Sequence, residues 1–254
     1  MSPDCEKYDF DEILLNKINN NIARVRENIA SAASQAGRSP DEITLIGVSK
    51  VFPVEYAEAA AVSGLKDLGE NRVQELVPKT ERFSALDIEC NWHLIGTLQK
   101  NKVKYIIGKT ALIHSVDSVE LAEEIARRSV NNNVTTSILL QANVSGEESK
   151  HGFAPHMLRP AIDRITGLPG VTLRGLMTMA PIQTYEGEAR EVFAKTHKLY
   201  EELGEYIQSD EWNVLSMGMS QDYRDAILEG STAVRIGTAI FGDRRNAPSV
   251  VKAV

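Results

Sequence analysis

The chain has 254 residues, of which 43% are hydrophobic and 25% charged, and its formal net charge is -7. That balance describes a globular protein with material for a sizeable core, and it excludes fibrous and disordered classes. The acidic surplus opposes extended contact with a nucleic-acid backbone. Two cysteines exclude a disulfide framework, and no apolar run is long enough to cross a bilayer.

The first element is a long helix, because Leu14, Ile18, Ile22, Val25, Ile29 and Ala33 recur every three or four residues. Gly37, Ser39 and Pro40 end it. From Ile43 onward, short apolar strands alternate with helical stretches. Strands are expected at Ile43–Ser49, Asp67–Gly69, Trp92–Ile95, Leu112–Ser115, Ser137–Ala142, Thr172–Met177, Val214–Ser216 and Ala233–Ile236. Asp117 and Ser118 suit the start of a helix through Leu121 and Ile125. Pro155 precedes Leu158 and Ile162, and Asp222 precedes Ala226 and Ile227. Pro78 falls inside the helical stretch from Arg72 to Phe83 and is expected to kink or restart it.

Eight β/α units with no long linker predict an α/β fold, a single (β/α)8 TIM barrel with an additional N-terminal helix, since closure removes exposed sheet edges. Residues 1–40 form an extension and a helix packed on the barrel, 41–245 the barrel, and 246–254 a tail. The N-terminus lacks the basic start and apolar stretch of a secretory signal, so a cytoplasmic location is expected.

In such a barrel the functional face lies at the carboxyl ends of the strands. Lys50 ends the first strand. It is either a lysine snorkelling from the rim or a partly desolvated amine able to form a Schiff base with an aldehyde. Ser220 follows Met217-Gly218-Met219 after the seventh strand, and Gly237-Thr238 follows the eighth. These glycines either permit tight turns or, with the Ser220 and Thr238 hydroxyls and nearby N–H groups, form a concave phosphate site. Arg235 closes an apolar strand. It either pairs with a carboxylate such as Glu70 or Asp222, or faces the ring nitrogen of an aromatic cofactor and keeps that nitrogen unprotonated.

Other polar residues point less sharply. Lys100, Lys102 and Lys104 form a short basic cluster with no interleaved aromatic, which reads as a solvated helix face and not as a nucleic-acid site. His93, His114 and His151 show no metal-ligand spacing and read as hydrogen-bonded structural or surface residues. Spacing does not place Ser220 beside His151 and Asp222, so a hydrolytic triad is not indicated.

Five stretches carry a resemblance to a known family. They are Ser49-Lys50; Gly69-Glu70-Asn71-Arg72-Val73-Gln74-Glu75; Trp92 to Gly96 with Leu98 to Lys102; Ser145 to Gly152; and Leu215 to Ser220 with Val234 to Thr238. From Ile43 to Gly242 the chain closely resembles the pyridoxal phosphate homeostasis protein family. The resemblance implies a barrel related to the barrel half of alanine racemases, with pyridoxal 5'-phosphate bound as a Schiff base to Lys50. It implies that Ser220, Gly237 and Thr238 hold the phosphate, that Arg235 meets the pyridine nitrogen, and that Asn71 lines the pocket. Met177 and Met217 are either near the ring or ordinary core residues. The similar racemases use a second, β-rich domain with a catalytic tyrosine, and the short stretch after Gly242 has no room for one. The implied role is therefore maintenance of intracellular pyridoxal phosphate without substrate turnover. The implied form is a monomer making transient contact with pyridoxal-phosphate-dependent apo-enzymes and binding neither nucleic acid nor membrane. The alternative is an enzyme acting on an unknown amino acid.

Overall fold

In a computed structural model of the chain, the described residues are 10–145, 151–181, 187–243 and 245. Helix α1 (Glu12–Gln35) begins at Asp11, whose side chain accepts the Leu14 N–H at 2.7 Å and satisfies one of the donors left bare at a helix start. Its stripe of Ile18, Ile22, Val25, Ile29, Ala32 and Ala33 is buried, as the periodicity predicts. The chain then turns through Gly37 into a 3-10 turn, where Ser39 and Glu42 cap each other.

Eight parallel strands follow and close on themselves in sequence order. They are β1 (Thr44–Val48), β2 (Asp67–Glu70), β3 (Asn91–Leu94), β4 (Leu112–Val116), β5 (Thr136–Gln141), β6 (Val171–Met177), β7 (Val214–Met219) and β8 (Ala233–Ile236). The pairing of β1 with β8, with Ile46 opposite Arg235 and Gly47 opposite Ile236, closes the barrel. All eight expected strands are therefore present, and their ends differ from expectation by a few residues at most. The largest difference is β7, which continues to Met219 because Met219 pairs with Arg235 across a register irregularity. Gly218 takes φ +92° there, and a Cβ on it would lie 2.8 Å from the Tyr223 Cα, so the close packing of the next helix requires glycine.

Between the strands lie α2 (Val54–Val62), α3 (Val73–Ala85), α4 (Val119–Asn131), α5 (Leu158–Ile165), α6 (Glu188–Ile207) and α7 (Tyr223–Leu228), and the single-turn α8 (Thr238–Phe241) follows β8. Helix α1 packs on α2, α7 and α8, and Asn21 donates to the Ile240 carbonyl at 2.8 Å. Side chains alternate along each strand, so one set faces the helices and the other fills the barrel. The helix-facing set joins two large apolar clusters. Leu112, Leu139 and Met177 form a small cluster of their own.

Pro78 does not restart a helix, because α3 runs unbroken through it. Pro78 is exposed while Leu76 and Phe83 on either side are buried. The backbone bond it removes thus lies on the solvent side, and packing holds both halves of the helix to the barrel. Ser118 and Asp222 are the N-cap positions of α4 and α7, but neither side chain caps its helix. Asp222 instead accepts the Met219 N–H at 2.6 Å and shapes the turn before α7. No helix among the described residues is long and apolar enough to cross a membrane.

Candidate functional site

The expected residues gather at the carboxyl ends of four neighbouring strands, β7, β8, β1 and β2. Lys50 follows β1 by two residues and is half-buried. Asn71 follows β2. Gly96 lies so close to this loop that an added Cβ would come within 2.8 Å of the Asn71 Cα. Ser220 follows β7, while Gly237 and Thr238 follow β8. Ser220 Oγ accepts the Gly237 N–H at 3.2 Å and the Ala239 N–H at 3.4 Å, so two backbone donors converge on one point. Helix α8 is too short for a substantial dipole, and its contribution is these individual donors. Gly237 also lies against the end of β1, with its Cβ direction 3.3 Å from the Val48 carbonyl. The donor cradle and Lys50 are thus on adjacent strands.

Arg235 is 4% exposed. It donates to Ser216 Oγ at 2.6 Å and to the Thr178 carbonyl at 2.9 Å. Burial pushes its guanidinium down to about 10, opposed by the nearby Asp222 carboxylate. At neutral pH it still carries its charge. Of the two carboxylates considered as partners, Glu70 is engaged elsewhere and Asp222 acts on Arg235 through charge, without a hydrogen bond. Met177 and Met217 are wholly buried in separate apolar clusters and are core residues.

Two buried polar clusters escape sequence reasoning. The first includes Ser49, the residue before Lys50, and lies between β2 and α3. Lys79 Nζ contacts Glu70 Oε1 at 2.5 Å, the Ser49 carbonyl at 3.0 Å and Ser49 Oγ at 3.2 Å. Ser49 Oγ donates to the same Glu70 oxygen at 2.6 Å. A lysine on the buried face of α3 was the available signal. The second crosses the barrel interior. Ser216 Oγ is 2.9 Å from His114 Nδ1, His114 Nε2 is 3.0 Å from His93 Nδ1, and His93 Nε2 is 3.0 Å from Asp67 Oδ1. His93 and His114 are hydrogen-bonded, as expected, and their place on two apolar strands was the hint that they share the interior.

The remaining polar groups fall outside this face. His151 Nδ1 lies 3.6 Å from Asp117 Oδ2, and Ser220 is occupied by backbone donors, so no triad forms from Ser220, His151 and Asp222. The basic cluster forms an exposed 3-10 turn. No aromatic interleaves with it, but Tyr105 follows directly, with Lys102 and Lys104 lying 5.8 and 4.9 Å from the centre of its ring. Gly146 to Lys150 of the Ser145–Gly152 stretch, together with residues 246–254, lie outside the described residues. No group of metal-ligating side chains occurs among the described residues.

Known proteins resemble this chain over most of its length. Residues 19–245 match the model of the alanine racemase N-terminal domain. The pyridoxal phosphate homeostasis protein of Aquifex aeolicus is 44% identical over 228 residues, 88% of this chain and 97% of the relative. A protein of unknown role from Bifidobacterium adolescentis has a TM-score of 0.85 at 35% identity, covering 92% of this chain and 98% of that one. PipY of Synechococcus elongatus, solved with pyridoxal phosphate bound, has a TM-score of 0.76 at 33% identity, covering 89% and 100%.

Proposed function

This chain belongs to the pyridoxal phosphate homeostasis protein family, and from that premise we propose that it holds pyridoxal 5'-phosphate covalently through Lys50 as a carrier, not as an enzyme. The observation that carries the reading is the convergence of the Gly237 and Ala239 N–H groups on Ser220 Oγ, one strand away from Lys50. Oxygen acceptors of a phosphate fit such donors, and the Ser220 and Thr238 hydroxyls would add to them. Asn71 lines the side of the pocket.

When bound, the cofactor supplies an aldehyde carbon for an amine and an electron-poor ring. Lys50, half-buried at the barrel mouth, supplies the amine. Arg235 presents a donor-only positive group toward the ring nitrogen and opposes its protonation. That arrangement favours holding over carbanion chemistry. We infer accordingly that the protein maintains a cofactor pool in the cytoplasm, as a monomer that meets pyridoxal-phosphate-dependent apo-enzymes transiently. We assign the cofactor function to the barrel, 41–245, and a packing role to helix α1 within the N-terminal segment.

The test is to load the protein with pyridoxal 5'-phosphate, reduce with borohydride and map the adduct by mass. The adduct is expected on Lys50 and absent in Lys50→Ala. Ser220→Ala is expected to keep the adduct while weakening affinity roughly 5- to 10-fold, the worth of about one hydrogen bond. An adduct on another lysine, or Ser220→Ala binding as tightly as the parent, would overturn the site. Turnover of an amino acid by the loaded protein would overturn the carrier role.

A further inference from the structure

Arg235 is a buried cation whose hydrogen-bond partners are a hydroxyl and a carbonyl. A guanidinium out of water needs compensation; Asp222 supplies charge without a hydrogen bond, and a second carboxylate, Asp67, stands at the far end of the polar chain that starts on Ser216. We propose that Asp67, His93, His114 and Ser216 form a relay of fixed polarity that positions Arg235 for the cofactor and couples the cofactor site to the opposite, N-terminal rim of the barrel. This rests on the reading of Arg235 as the residue facing the cofactor ring.

The two ends fix the direction of every bond between them. Arginine only donates, so Ser216 Oγ accepts from Arg235. An ionised carboxylate only accepts, so His93 carries its proton on Nε2 and donates to Asp67. Neutral His93 then accepts at Nδ1, which places the His114 proton on Nε2. His114 Nδ1 must accept in turn, and Ser216 supplies its hydroxyl proton. With both rings neutral each donor has an acceptor, and both Ser216 lone pairs remain for Arg235. Burial, with His93 and Arg235 beside it, holds His114 well below the usual imidazole range and keeps it neutral.

One added proton on the histidine pair reverses the inner bonds. His93 Nδ1 then donates to His114, and His114 Nδ1 donates to Ser216, taking one of its two lone pairs and bringing positive charge toward the Arg235 guanidinium. The grip on the guanidinium weakens. Protons have a route in, because Asp67 is about one-fifth exposed and lines a cleft of about 520 Å³ between α1 and the barrel rim. The charged or titratable groups around the relay are Asp222 beside Arg235, Cys90 beside Asp67, and Lys66, Arg26 and Asp41 along the cleft. Cys90 is pushed up to about 12 by burial and by Asp67, and so stays a neutral thiol.

Two measurements decide the proposal. In nitrogen-15 spectra of the imidazoles of the protein without added cofactor, both His93 and His114 are expected as Nε2–H forms, assigned by their loss in His93→Gln and His114→Gln. A proton on His114 Nδ1 at neutral pH overturns the relay. In protein loaded with pyridoxal 5'-phosphate, Asp67→Asn keeps an accepting oxygen and removes the charge. The pH midpoint of the bound cofactor's absorption band is expected to move, and affinity to fall roughly 5-fold or more, the lower range of coupling between separated sites. Parent-like midpoint and affinity overturn the relay. Should Asp67→Asn not fold, His93→Gln is titrated in its place. If the parent protein gives no adduct on Lys50, the site reading fails, and the tautomers still decide the relay.

Discussion

Glu70 and Lys79 meet at 2.5 Å in the wall between β2 and α3, and the same ammonium holds the Ser49 carbonyl at 3.0 Å, one residue before Lys50. The pair thus fixes the end of β1 from behind. The second Glu70 oxygen is buried with no hydrogen-bond partner among the described residues, which marks the cluster as costly to keep and sensitive to loss of either member.

Lys79→Met is expected to destabilise the fold by about 3 to 5 kcal/mol at neutral pH, because Glu70 becomes an unpaired buried charge. Burial already raises the Glu70 carboxyl above its ordinary value of 4.5, against the pull of Lys79. An acid raised in the folded state holds its proton more tightly there, so its contribution to stability falls as pH climbs from 4.5 through the raised value. Without Lys79 that window extends further upward. Urea unfolding of both proteins across pH 4 to 8 should show a gap that widens with pH; a constant gap would mean that lost packing, not charge, is responsible.

Val51 has φ +64° although it is β-branched and 40% exposed, and its N–H donates to Glu75 Oε2 at 2.7 Å. The left-handed region costs such a residue about 1 to 2 kcal/mol, and asparagine tolerates it better. Val51→Asn is therefore expected to stabilise the protein by about 1 kcal/mol while the borohydride adduct stays on Lys50. A lower unfolding midpoint would show that the valine side chain contributes more than its backbone costs.

Gly96→Ala puts a methyl group against the Asn71 backbone, 2.8 Å from its Cα. Overpacking of this kind costs about 1 to 3 kcal/mol, and here it also displaces the loop proposed to line the pocket. Chemical unfolding and cofactor titration should both report a loss. Gly167→Ala is the control, since nothing lies within 4 Å of the added carbon. Equal behaviour of the two variants would remove the contact from the argument.

The fold was largely legible because its signals are local. The period of α1, the eight apolar runs and their turn residues each lie within a short window, and closure follows from their number and order. The candidate site's placement at strand ends was legible for the same reason. Lys50, Asn71, Ser220, Gly237 and Thr238 follow strand ends, where residues of this barrel face one mouth. Of the two outcomes expected at Pro78, the restarted helix is absent, because the cost of the proline depends on which side of α3 meets solvent, a matter settled only by packing.

The sequence by itself determined the barrel, the family and the set of residues at its mouth. Tertiary structure decided what Arg235 touches. Asp67, His93, His114, Ser216 and Arg235 come from β2, β3, β4, β7 and β8, and no spacing along the chain relates them. Strand register and the alternation of inward side chains bring them together once the barrel closes. The hydrogen bonds then form because buried polar groups find their partners there and not in water.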